Sequence, residues 1–423
     1  MRRLDREGFL RWARERRERP LPEEALQTAA TIIARVREEG DRALSELTLR
    51  YDRVRLSPRE LRMGPEEVEE GARACPPEIL ESLRTIKERI ASFHRLQIPS
   101  GAQWADGRGN ILGWIWQPLR RVGIYVPGGK AAYPSSLLMG AIPARLAGVE
   151  EVYVFTPPGE GGRIPSPVLA AAALCGVDAV FRVGGAQAVA AMAFGTETVP
   201  RVEKIVGPGN IYVTAAKKLV LGVVGIDGLH GPSEICVVAD SSARPLWVAA
   251  DCLAQAEHGP DSAVALLSPD EGLLREVEES LIREGGEALP AIREGVSLSI
   301  SSLEEALELA GEMAPEHLHL HLADPWPYLP LVRSAGAVFL GPYAPVAAGD
   351  YGAGTNHVLP TGGTARFSSG LSVRDFMRSF HYLYSSPAGV QAWLEPSRRV
   401  AEAEGLERHA FSLTLRGKGE NQG

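Results

Sequence analysis

Cysteine is scarce in this chain: Cys75, Cys175, Cys236 and Cys252 are all there are in 423 residues. Four thiols so widely separated exclude a disulfide scaffold and fit a reducing compartment, so the expected location is cytoplasmic. Long hydrophobic runs are also missing. Glycine, proline or charge interrupts every apolar stretch well short of the roughly 20 residues that cross a bilayer, and no membrane association is expected. An excess of positive charge is missing too, with 45 basic against 53 acidic side chains and a net charge of -8. No overall field would gather phosphate backbones, so nucleic acid is not an expected partner. The Arg-rich first twenty residues lack the acid-poor character of a transit peptide, because Asp5, Glu7, Glu15 and Glu18 are interspersed. They read as an exposed amphipathic helix. Finally, no Gly-x-Gly-x-x-Gly follows a strand in the right context, so the ordinary dinucleotide fingerprint fails.

What remains is a soluble globular composition, 45% hydrophobic and 23% charged, long enough for two α/β domains. Apolar residues recur at helical spacing over Pro22–Tyr51 and Pro65–Phe93, and this opening carries no visible chemistry. From Arg121 the character changes. Short β-branched runs, Val122–Val126, Glu151–Phe155, Ala179–Val183 and Lys204–Val206, alternate with the Ala- and Leu-rich stretches Ser135–Ala147 and Pro167–Leu174. That alternation predicts strands and crossover helices of a parallel sheet. A second series follows Gly231: strands at Ile235–Ala239, Ala263–Leu267 and Ser297–Ile300, with helices over Arg244–His258 and Glu271–Ile282. Two α/β units in series predict a small-molecule cleft. From Val373 the chain reads as helical again and ends in the polar tail Gly417–Gly423.

Several clusters could carry chemistry. His317, His319 and His321 alternate with leucines, so in a strand all three share a face, which is a reasonable start for a zinc triad. Alternatively His317 acts at a strand end while the other two are buried and hydrogen-bonded. Gln255 and His258 stand three apart at a helix end that Gly259-Pro260 must stop, where an amide oxygen and an imidazole can reach one cation. Cys252, one turn earlier, is a competing ligand or a buried small hydrophobe. Asp350 and His357 sit in a Gly-rich irregular loop, Gly349–Pro360. Glu316 and His317 are an adjacent carboxylate and imidazole able to divide proton transfer if their environments separate their pKa values. Three Gly-rich turns, Val122–Gly129, Val183–Gln187 and Ile205–Asn210, follow probable strands and could cradle a nucleotide.

Taken in order, Gly207-Pro-Gly-Asn210, Gly231-Pro-Ser-Glu234, Gln255-Ala-Glu-His-Gly-Pro-Asp261, Ala314-Pro-Glu-His-Leu318, Gly349-Asp-Tyr351 and Thr355-Asn-His-Val-Leu-Pro-Thr361 resemble the histidinol dehydrogenase family. The resemblance runs from the Gly123-Ile-Tyr-Val-Pro-Gly-Gly129 stretch to Glu404 and His409. It implies two Rossmann-like α/β domains in tandem, with helical N- and C-terminal extensions, in an intertwined homodimer. The expected divisions are a helical arm over 1–20, a metal-bearing and catalytic α/β domain from 21–121 with 232–372, an NAD-binding domain over 122–231, and a helical extension over 373–423.

The family's pattern also implies roles. One Zn²⁺ per subunit would be held by Gln255, His258, Asp350 and the partner subunit's His409. NAD would touch Tyr125, Gln187 and Asn210. The substrate L-histidinol would meet Ser233, Gln255, His258, His317, Asp350, Glu404 and His409, with Glu316 and His317 as the proton-transfer pair. The implied reaction is a four-electron oxidation of L-histidinol to L-histidine by two NAD⁺, the last step of histidine biosynthesis. Two departures stand out: Val346 lies where the family usually has Glu, and Leu219–His230 looks shortened, with Gly228 and His230 in unusual places. Rival readings are a zinc hydrolase using the His317, His319 and His321 face, and a dehydrogenase of a related amino alcohol.

Overall fold

The computed structural model describes residues 1–128 and 132–417. Gly129, the last residue of one Gly-rich turn, and the tail beyond Gly417 lie outside them. The described residues form two compact units, one drawn from 1–97 with 119–376 and the other from 98–118 with 377–417.

The first unit contains both expected parallel sheets. In one, the strand order is Arg62–Met63, Ala179–Phe181, Glu151–Phe155, Arg121–Tyr125, Lys204–Val206, Gly225–Ile226, and only the short first strand runs antiparallel. Strand order reverses between Arg121–Tyr125 and Lys204–Val206, so a crevice opens at their carboxyl ends. Both faces of this sheet are covered, which is why its strands read as unbroken β-branched runs with no alternation. In the other sheet the order is Arg2–Arg3, Val296–Ser299, Ala263–Ser268, Glu234–Ala239, His317–His321, Ala337–Leu340, all parallel.

Three expectations need correction. The N-terminal arm is not an exposed helix: Arg2–Arg3 pairs with Val296–Ser297, and the helix Arg6–Arg17 buries Phe9 and Trp12 against the second sheet. Within the stretch expected to pack with 232–372, residues 25–61 instead contribute to the core of the first sheet. The helical run Pro22–Tyr51 is two helices, Glu23–Glu39 and Asp41–Asp52, broken at Gly40, whose φ of 56° suits glycine. Their apolar stripes, with Leu56 and Leu61, share one core with Tyr153, Phe155 and Phe181 of the first sheet. The C-terminal extension is not all helix. Met377–Ser385 is a nine-residue strand paired antiparallel with Asn110–Pro118, which pairs in turn with Ala102–Ala105, and the helices Leu394–Ala403 and Glu407–Gly417 complete this second unit. Most of that long strand is exposed, so no buried face imposes the alternation by which a strand is recognised.

Phe155 and Phe181 stack at 4.7 Å, both fully buried in the core of the first sheet. Phe181→Ala should lower stability by about 3–5 kcal/mol through the cavity it leaves. A urea midpoint unchanged from the parent protein would contradict the packing.

Candidate active site

The strands Glu234–Ala239 and His317–His321 are parallel neighbours with Ile235 opposite His317. That register sets Glu234, the first residue of its strand, beside Glu316 and His317. The Glu234 N–H donates to Glu316 Oε2 at 3.1 Å, and the His317 Nδ1–H donates to the Glu234 carbonyl oxygen at 3.2 Å. A single residue's backbone thus holds both members of the expected proton-transfer pair. Just before them Ala314 adopts a left-handed φ of 49°, a conformation costly for a residue with a β-carbon, and turns the helix Leu303–Met313 sharply into Pro315.

Burial separates the two groups electrically. The Glu316 carboxyl is pushed well above its ordinary range by desolvation, helped by the nearby charges of Glu234 and Asp350. Desolvation lowers His317 to about 4, against the opposing pull of the Asp350 carboxylate. The imidazole is therefore neutral near pH 7, and with Nδ1–H committed to Glu234 its Nε2 carries the lone pair. That atom lies 3.9 Å from Asp350 Oδ1. A neutral imidazole that can accept a proton stands next to a carboxyl that holds one tightly, the pairing general acid–base chemistry needs. Ser233 is half-buried, and its side chain partly offsets the rise of the Glu316 carboxyl.

Around His317 lie two of the four expected metal residues, Asp350 and His258, from separate parts of the chain. Asp350 ends the short helix Val346–Asp350, where an irregular loop was expected, and Val346 is buried in the adjoining core. An apolar side chain at 346 is explained by that packing. His357 donates Nδ1–H to the Asp350 carbonyl oxygen at 3.0 Å. The helix Pro245–Ala256 stops earlier than expected, leaving His258 exposed just beyond it, close enough for its charge to depress both His317 and His357. Gln255, on the last turn, is buried, and its Nε2 has no hydrogen-bond partner among the described residues. An unpartnered buried amide is costly, and rotating its terminus by 180° would present the oxygen to a cation instead. Amide oxygen, imidazole and carboxylate are donors that suit zinc. Among the described residues no three His, Cys, Asp or Glu side chains form a complete metal site. Glu404 and His409 are on the second unit, at the end of one helix and within the next, both exposed.

The alternating histidines have a structural explanation. Leu318 and Leu320 face the core under Phe9 and Trp12, while the histidines point the other way. His319 Nδ1 lies 2.8 Å from Asp251 Oδ2 and its Nε2 3.0 Å from the Gly341 carbonyl oxygen. Both ring nitrogens face groups of the chain itself, so neither is turned toward a metal. Cys252 is fully buried and its thiol is raised by desolvation, an inert small hydrophobe.

In the first sheet, Tyr125, expected to touch NAD, ends its strand, buried, with its hydroxyl accepting the Gly185 N–H at 3.1 Å and its phenol raised to about 12 by burial. Gln187 lies buried on the helix Gly185–Phe194 that this hydroxyl caps. Asn210 is exposed at the start of Ile211–Val220, its oxygen accepting the Tyr212 and Val213 N–H groups. Tyr125 and Asn210 flank the strand-order reversal. Glu234, which the sequence presented only as the end of Gly-Pro-Ser-Glu, went unassigned, because nothing in a single sequence reveals that its main chain grips two other residues.

Comparison with known proteins finds relatives along nearly the whole chain. The family model described as histidinol dehydrogenase matches residues 15–417. A histidinol dehydrogenase of Moorella thermoacetica is 50% identical over 395 residues, covering 91% of this chain and 92% of its own. One of Synechococcus is 46% identical over 392 residues, covering 91% and 90%. The solved structure of histidinol dehydrogenase from Elizabethkingia anophelis superposes with a TM-score of 0.94 at 34% identity, covering 100% of this chain and 99% of that one.

The Glu234 side chain itself generates a pH prediction. Burial raises its carboxyl to about 7 despite Arg16 and the N–H groups of Gly362 and Gly363. Below pH 4.5 it is neutral in both folded and unfolded chains. Between 4.5 and 7 the unfolded chain loses the proton first, so stability falls as pH rises. Glu234→Gln should remove that loss, gaining up to about 3 kcal/mol over the parent by pH 8 and nothing at pH 4. Urea titrations at both pH values check it, and equal differences at the two would contradict the assignment.

Proposed function

The chain belongs to the histidinol dehydrogenase family, an oxidoreductase family, and from that premise we propose that it oxidises L-histidinol to L-histidine in two hydride transfers, using two NAD⁺ and water and requiring zinc. The observation that carries the reading is the neutral, buried His317 beside the protonated, buried Glu316. His317 Nε2 would take the alcohol proton in the first oxidation. The aldehyde then needs water, and Glu316, once it has released its proton, is the base positioned to activate it. The Glu234 main chain keeps both groups aimed through the two steps. Buried walls limit escape of the aldehyde between transfers.

Gln255, His258 and Asp350 would hold the metal, with His409 from a second copy of the chain. Bound zinc would orient the substrate's imidazole and amino nitrogens, a positional contribution. Ser233 and Glu404 would complete substrate binding. Tyr125, Gln187 and Asn210 would receive NAD at the carboxyl edge of the first sheet, where strand order reverses. The homodimer is supported by the second unit, whose Trp104, Leu383, Tyr384, Phe411 and Leu415 are more than half exposed. So much apolar surface on so small a unit marks an association face. No helix of the described residues is long and apolar enough to cross a membrane, and histidine biosynthesis in the cytoplasm is the setting this reading implies.

Two measurements test it. Purified protein given L-histidinol should form two NADH per substrate, with activity lost to a chelator and restored by zinc; one NADH per substrate would reduce it to a simple alcohol dehydrogenase. His258→Ala and Asp350→Ala should each lower bound zinc by tenfold or more, roughly the effect of losing a ligand contact. His319→Ala should keep its zinc yet lose about 3 kcal/mol of stability, because Asp251 is left buried without its partner. Loss of zinc from the His319 variant would instead favour the hydrolase reading.

A further inference from the structure

Two buried charges lie beneath the Gly207-Pro-Gly-Asn210 turn and have no part in the proton transfers. Lys217 on the helix Ile211–Val220 and Asp227 just past the strand Gly225–Ile226 form an ion pair whose side chains are 1% and 3% exposed. Each also grips one main-chain group of a single residue. Lys217 Nζ donates to the Gly207 carbonyl oxygen at 2.8 Å, and the Gly207 N–H donates to Asp227 Oδ2 at 2.6 Å. Asp227 Oδ1 accepts the Gly228 N–H at 2.8 Å as well.

Gly207 is the pivot of the turn. Its φ is 111°, and a β-carbon there would collide with the Tyr125 carbonyl oxygen, so its backbone lies directly against Tyr125. Three residues later Asn210 caps the next helix with its side-chain oxygen, leaving its amide nitrogen exposed. The spacing between Tyr125 and Asn210 therefore depends on where Gly207 is held. A buried ion pair adds little stability over an apolar pair of equal size. What it supplies that apolar side chains cannot is one donor and one acceptor for the two main-chain groups of Gly207.

We propose that the Lys217–Asp227 pair is the positioning device of the nucleotide site, holding the Gly207–Asn210 turn in the shape that receives the dinucleotide. This rests on the reading that NAD binds at Tyr125 and Asn210. Every partner of the pair is a group of the chain itself, so binding does not have to supply an atom to order the turn.

The test is the double variant Lys217→Met with Asp227→Leu, which removes both charges and leaves no buried charge unpaired. Equilibrium titration of the purified protein with NAD, followed by intrinsic fluorescence, should show the Kd raised roughly tenfold or more, the scale of losing charge-assisted hydrogen bonds. The KM for NAD should rise with it, while zinc content and the KM for the amino alcohol stay at parent values. A folded double variant that binds NAD as the parent does overturns the proposal. Should that variant not fold, Lys217→Gln, which keeps a donor toward Gly207, is compared with Lys217→Met. Tighter NAD binding by the Gln variant supports the proposal and equal binding overturns it. A parent protein that binds no NAD at all would overturn the underlying assignment of the nucleotide site, a result distinct from either.

Discussion

Parallel pairing between Glu234–Ala239 and His317–His321, in the register that sets Ile235 against His317, is the constraint on which the site depends. A shift of one residue would turn every histidine of the second strand to the opposite face and remove Glu316 from the Glu234 N–H. Register is held because both faces are buried: leucines on one side meet the N-terminal helix, and histidines on the other meet Asp251 and the Gly341 carbonyl. The hydrogen bonds that stop slippage are thus made by His319, a residue outside the chemistry, on behalf of His317.

The two sheets present their candidate residues at opposite edges. Tyr125 and Asn210 stand at or beyond the carboxyl ends of Arg121–Tyr125 and Lys204–Val206, where strand order reverses. Glu316, His317 and Ser233 stand at the amino ends of the second sheet's strands, the opposite of the usual rule for such folds. The short crossover Asp227–Ser233 explains it, because it leaves the carboxyl edge of one sheet and enters the amino edge of the next. Its start is anchored to Lys217, and further along the Gly231 N–H donates to Thr361 Oγ1 at 2.6 Å. Buried carboxyl groups cluster around this crossover. Asp227, Glu234 and Glu316 are all held by main-chain N–H groups, and each group's protonation follows from how far those donors and nearby cations offset desolvation.

Local sequence determined most of the architecture of the first unit. The β-branched runs and the Ala- and Leu-rich stretches between them became the strands and helices expected, within a few residues, because propensity, periodicity and burial agree there. The motifs Gln255–His258, Glu316-His317 and Asp350 were legible as chemical candidates because their residue types are rare in those patterns. Tertiary structure alone decided the rest. Helices over 23–52 share the core of a sheet more than a hundred residues downstream, and Met377–Ser385 pairs with Asn110–Pro118 across some 260 residues, since strand pairing and core sharing are long-range contacts with no local signature. Only the folded chain shows that Glu234 holds its neighbours with main-chain groups, that both ring nitrogens of His319 face groups of the chain itself, and that Lys217 and Asp227 meet on Gly207. Residue type declares what a side chain can do; which partner it does it with is set by the packing around it, and that information is not local.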